Sequence, residues 1–171
     1  MVLVDAHHTV AHVGTEQADG ASDEAATIDA IWSYFEGRDV ERRDGTTMFY
    51  WKTSSTQIFS TFGLLENADG CCGAWARFLQ DVFLGQGIVS GEVKRIIQSP
   101  VPGYTPAGFV VNPALVGQGG AIPAENFFID HAVVVIGSVV YDASYGKKWD
   151  DLPQWEANSL VAFSYTYGDP P

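Results

Sequence analysis

The sequence predicts an α+β domain. Apolar stripes at helical spacing occupy the first half of the chain, strand-like runs come mostly later, and 171 residues with 46% hydrophobic and 13% aromatic content suffice for one core. This order, helices before strands, is the pattern of helices packed on an antiparallel sheet rather than of alternating βαβ units.

Residues 1–22 are small, polar and acidic without a clear period, and are expected to be a flexible tail, leaving 23–171 as the single domain. In TIDAIWSYFEG, Ile28, Ile31, Trp32 and Phe35 recur at i, i+3, i+4, i+7, and Gly37 closes the predicted helix. A basic link with Arg38, Arg42 and Arg43 leads to a strand at TTMFYWK. STQIFSTFGLLE then predicts a helix on Ile58, Phe59, Phe62 and Leu65. The next helix opens at NADGCCGAWARFLQ. VSGEVKRIIQS is expected as a strand stopped by Pro100 and Pro102, and GFVVN as a short one. Residues 113–126 are glycine-rich and aperiodic, a long loop of the kind that often borders a binding site. FFIDHAVVVIGSVVYDAS reads as a hairpin around Gly137-Ser138, and NSLVAFSYTY as a closing strand.

Charge narrows the partners. A net charge of -12 argues against nucleic acid and anionic membrane, both of which require a basic surface. The longest apolar runs fall short of the roughly 20 residues that span a bilayer, and MVLVDAHHTV lacks a signal-peptide pattern, so a cytoplasmic location is the default expectation. His7, His8 and His12 lie together in the expected tail without cysteine or carboxylate partners, and no metal or cofactor is expected.

Cys71 and Cys72 are the only cysteines. Asp69 is a suitable N-cap, which would place both at a helix start, where unpaired N–H groups and the helix dipole favour a thiolate. Helical spacing does not choose between them, and simple burial competes with any reactive role. His131 is the only histidine beyond the expected tail. If Gly137-Ser138 is a two-residue turn, Ile136 faces Val139, Val133 faces Asp142, and His131 becomes a same-face diagonal neighbour of Asp142 at a Cα separation of roughly 7 to 8 Å. Asp130 then points to the opposite face. The competing reading is a core histidine satisfied by a strand-end aspartate.

The pattern G-x-C-x-x-x-A at a helix start, a glycine-isoleucine exit towards a strand, a histidine on a strand and an aspartate on the next resembles the transglutaminase-like superfamily of thiol enzymes. The matching stretches are Gly70 to Ala76, Gly87-Ile88, FIDHAVVVIG and VVYDASYGK, within about residues 55 to 146. The resemblance implies a papain/transglutaminase-like fold with the nucleophile helix on an antiparallel sheet. It implies Cys72 as nucleophile, His131 as base and acid, Asp142 as the group orienting the histidine, and Cys71 as a packed neighbour. The expected activity is acyl transfer on amide bonds of a peptide or protein through a Cys thioester, as a cysteine peptidase or amidase. A protein-glutamine transglutaminase or deamidase, a papain-like or cell-wall amidase, and a non-catalytic binding module of the same fold are the alternatives. The second oxyanion donor stays open among Gln57, Trp51 and Trp75.

Overall fold

The computed structural model describes residues 3–53, 58–102, 104–123 and 126–167, with side chains described between residues 8 and 166 of these ranges. The architecture is α+β. Helices α1 (Leu3–Gln17), α2 (Glu24–Gly37), α3 (Thr61–Asn67) and α4 (Cys72–Gly85) come first, and most strands follow. Two antiparallel sheets form where one was expected: β3 (Glu92–Ile97), β6 (Asp130–Ile136), β7 (Val139–Asp142) and β8 (Lys147–Trp149) in the order β3-β6-β7-β8, and β5 (Phe127–Phe128), β4 (Tyr104–Val111) and β9 (Leu160–Tyr167) in the order β5-β4-β9. A minimal parallel pair joins β1 (Phe49–Tyr50) to β2 (Asp69–Gly70), and α5 (Leu152–Ser159) links β8 to β9.

The N-terminal segment corrects the expectation of a tail. Residues 3–17 form α1, which packs on α2, α3 and α4. Its described inner face carries Thr9, Val13 and Gly14, and a Cβ on Gly14 would press into the Gln86 side chain. Small residues allow this close approach, and for the same reason they leave little hydropathic period to read.

Helix α2 begins at Asp23, whose carboxylate accepts from Ala26 N at 2.9 Å, and buries the expected stripe of Ile28, Ile31, Trp32 and Phe35. Helix α3 is shorter than its sequence pattern, because Ser60 caps it by accepting from Gly63 N at 3.0 Å. Arg42, expected in a solvated link, donates to Leu65 O at 2.9 Å and so satisfies a carbonyl of the last turn of α3. Between α2, α4 and the β6–β7 face lies an aromatic core in which Phe35 meets Trp75 and Phe78, and Trp32 and Phe83 meet Tyr141. Helix α4 packs along β6, which sets the cysteines at its N-terminus against the start of the histidine strand.

The second sheet tolerates one sharp constraint. Gly108 sits at φ +145° beside a register irregularity between β4 and β9, and a Cβ there would collide with the Phe128 carbonyl oxygen. Gly108→Ala is expected to destabilise the fold by about 2 kcal/mol or more, read as a lower urea midpoint with unchanged slope.

Candidate active site

Pairing between β1 and β2 decides where α4 begins. It draws Asp69 and Gly70 into an extended segment, with Trp51 N donating to Gly70 O at 3.0 Å, so the helix starts at Cys72 and Cys71 is its N-cap. The expectation of Asp69 as N-cap is therefore corrected. Its carboxylate instead accepts from Lys52 N at 3.0 Å and Thr53 N at 3.2 Å, fixing the backbone that follows Trp51.

The hairpin register is the one counted from the sequence. Ile136 pairs with Val139, Val135 with Val140 and Val134 with Tyr141. His131 Nε2 and Asp142 Oδ2 lie 2.8 Å apart, and both residues are fully buried. Asp130 points away and pairs with Arg95, whose Nε donates to it at 2.7 Å. A buried histidine–carboxylate contact of this length fixes the ring's orientation and leaves Nδ1 as the nitrogen available for chemistry. His131 Nδ1 has no hydrogen-bond partner among the described residues.

Sequence reasoning missed the residue that completes this pair. Trp155, from α5, donates its indole N–H to the same Asp142 Oδ2 at 3.1 Å and stacks on the imidazole at 5.7 Å with an interplanar angle of 17°. Asp142 Oδ1 accepts from Ser144 N at 3.2 Å. Tyr145 lies 5.7 Å from the imidazole and Phe128 meets it edge-on at 6.0 Å, so the histidine is enclosed by aromatic rings. The tryptophan lies 13 residues beyond Asp142 in a short helix without an apolar stripe, and no local pattern links it to the site. Trp155→Phe keeps a ring for stacking but removes the donor; we expect a loss of about 1 to 2 kcal/mol in urea unfolding.

The cysteines are both nearly buried, at 5% and 6% exposure. The Cys72 sulfur meets the backbone N–H of Ala132, the residue after His131. The Cys71 thiol donates to Ile58 O at 2.9 Å. Cys71 is packed, as expected from the sequence, and is also coupled to its neighbour. A hydrogen bond from Cys72 draws the Cys71 thiol down to about 7, aided by the N–H groups of Ala74 and Gly73 at the helix start. The same hydrogen bond, with burial and repulsion from Cys71, holds the Cys72 thiol well above the ordinary range.

Among the open oxyanion donors, Trp75 is engaged elsewhere, since its indole N–H donates to Phe49 O at 3.1 Å in the core. Gln57 lies outside the described residues. Trp51 differs: its Nε1 is buried without an acceptor among the described residues, its ring abuts Phe128 at 5.2 Å, and its backbone sits at φ +42°. A bulky residue held in the left-handed region is an outlier of the type found at functional sites. Tyr50 is fully buried against Tyr145, its hydroxyl has no hydrogen-bond partner among the described residues, and burial pushes its ionisation well above the usual tyrosine range.

The long loop is anchored rather than free-standing. Gln118 is fully buried and its amide donates to Phe35 O and Ala143 O, both at 2.8 Å, while its backbone N–H donates to Ser144 O at 2.9 Å. Of the N-terminal histidines, His7 lies outside the described side chains, His8 Nδ1 meets Arg43 at 3.2 Å, and His12 meets Glu16 at 3.2 Å. Among the described residues no three His, Cys, Asp or Glu side chains gather as metal ligands, and no helix is long and apolar enough to cross a membrane.

No protein-family model matches the chain, and neither a curated protein nor a solved structure matches it.

Proposed function

We propose that this protein is a thiol-dependent acyl-transfer enzyme of transglutaminase-like type, acting on amide bonds of a peptide or protein as a cysteine peptidase or amidase. One observation carries the reading: a buried His131–Asp142 pair leaves Nδ1 without a partner on the strand whose next N–H meets the Cys72 sulfur at a helix start. An ion pair kept only for packing would gain little from a free ring nitrogen in a dry site, because an unpaired buried polar atom costs about 1 to 3 kcal/mol.

In the mechanism, Cys72 attacks the carbonyl carbon while its proton passes to His131 Nδ1. The carbonyl oxygen becomes an oxyanion held by the Cys72 backbone N–H at the start of α4 and by the Trp51 indole N–H. Collapse of the tetrahedral intermediate breaks the C–N bond, His131 returns the proton to the leaving amine, and the acyl group remains on sulfur as a thioester. Water, activated by the same nitrogen, releases the acid. Asp142 and Trp155 hold the imidazole in place throughout.

The test uses p-nitrophenyl acetate as a generic acyl donor. We expect a burst of nitrophenolate and an acetyl thioester that peptide mapping of acid-quenched protein assigns to Cys72. His131→Ala should slow the burst, and Trp51→Phe should lower its rate about a hundredfold or more. Acetylation spread over lysines, with no thioester on Cys72, would overturn the proposal.

A further inference from the structure

Proton transfer from Cys72 to His131 creates a cation where water does not reach, because His131 is 0% exposed. Asp142 supplies a counter-charge at 2.8 Å, but the same carboxylate also accepts from the Trp155 indole and from Ser144 N. Two aromatic rings lie against the imidazole. The Trp155 indole stacks at 5.7 Å with its plane 17° from that of the imidazole, and the Tyr145 ring lies at 5.7 Å with its plane 30° away. Both are inside the roughly 6 Å over which a ring face attracts a cation. Tyr145 is itself 2% exposed, and burial together with the charge of Asp142 pushes its ionisation well above the usual tyrosine range. It therefore meets the histidine as a neutral ring and not as a base.

We propose that Tyr145 is a positioning residue for the acyl-transfer step: its ring, together with that of Trp155, stabilises the imidazolium form of His131 and so favours transfer of the Cys72 proton. The inference rests on the acyl-transfer reading above and adds to it a source of stabilisation for the cation besides Asp142. A neutral imidazole packs on both rings, but the charged form gains in addition the attraction of the ring quadrupoles, undiluted by water in a dry site. Because that gain exists only once the proton has moved, it lowers the barrier and does not merely hold the resting state. Trp155 cannot isolate the effect, since its indole N–H also serves Asp142. Tyr145 can.

The test takes Tyr145→Phe as its reference and introduces mono-, di- and trifluorophenylalanine at the same position through an amber codon. Each fluorine weakens the negative face of a ring of almost unchanged size. Burst rates with p-nitrophenyl acetate, with the acetyl thioester mapped to Cys72 and urea midpoints showing each protein folded, are expected to fall stepwise along the series. From the phenylalanine to the trifluoro ring the fall should be roughly three- to thirtyfold. The same series built on His131→Ala should show one residual rate throughout, because the effect acts through the imidazole. A burst rate independent of fluorine, or one that falls equally in His131→Ala, would make Tyr145 a packing residue and overturn the inference while leaving the acyl-transfer reading intact. A parent protein that forms no thioester on Cys72 would overturn that reading and the inference with it.

Discussion

Replacing Cys72 with alanine is expected to remove the acyl-enzyme altogether, a loss of more than about a thousandfold in rate, whereas Cys71→Ala should keep it and move its pH profile to lower pH. The two thiols titrate as a pair, and the proton they share decides the sign. In the parent, the hydrogen bond with Cys71, burial and the charge of Cys71 hold the Cys72 thiol above its ordinary range. Deleting Cys71 removes the bond and the charge together, leaving Cys72 with the N–H of Ala132 as a stabilising donor. Its acidity must then rise, and the rate of acylation at neutral pH with it. The same linkage gives a stability signature: a lowered folded-state value makes Cys71 a stabilising group above the ordinary thiol range, and that contribution disappears as pH falls through about 7. Cys71→Ala should flatten this part of the stability profile. Acylation-rate profiles and urea midpoints across this pH range check both expectations. A Cys71→Ala protein without acyl-enzyme, beside a reactive Cys72→Ala protein, would exchange the two roles.

What was legible in the sequence was local. The hairpin could be counted because a two-residue turn and strict alternation fix register, and that register alone brings His131 to Asp142. The α2 stripe was equally plain, since four large apolar residues share one face. Features set by distant partners could not be read. Asp69 has the chemistry of an N-cap, but pairing with β1, some twenty residues earlier in the chain, turned it into an acceptor for Lys52 and Thr53. Trp155 reaches Asp142 only because β8 and α5 fold back over β7. The coupling between the cysteines was likewise hidden, because adjacency in sequence does not say how two sulfurs meet.

Asp142 offers the sharpest separation of stability from chemistry. Asp142→Ala would leave three donors without acceptors in a dry interior: the His131 Nε2 side, the Trp155 indole N–H and the Ser144 backbone N–H. At about 1 to 3 kcal/mol for each buried unsatisfied group, the expected cost is roughly 3 kcal/mol or more, a large share of a typical domain's stability. Asp142→Asn has nearly the same shape and retains one carbonyl oxygen, which serves either Ser144 N or His131 and Trp155 together, so the fold should lose less. Its amide nitrogen, however, presents hydrogens where a second acceptor stood. With that nitrogen at the Oδ2 place, the imidazole either turns or takes the tautomer that puts a proton on Nδ1, and in both cases Nδ1 no longer accepts a proton. The acylation rate is expected to fall about 10³- to 10⁴-fold for Asn, with a urea midpoint much closer to the parent than that of the alanine variant. An asparagine variant that folds normally and acylates at the parental rate would make Asp142 a purely structural acceptor, and the buried pair would then owe its geometry to packing alone.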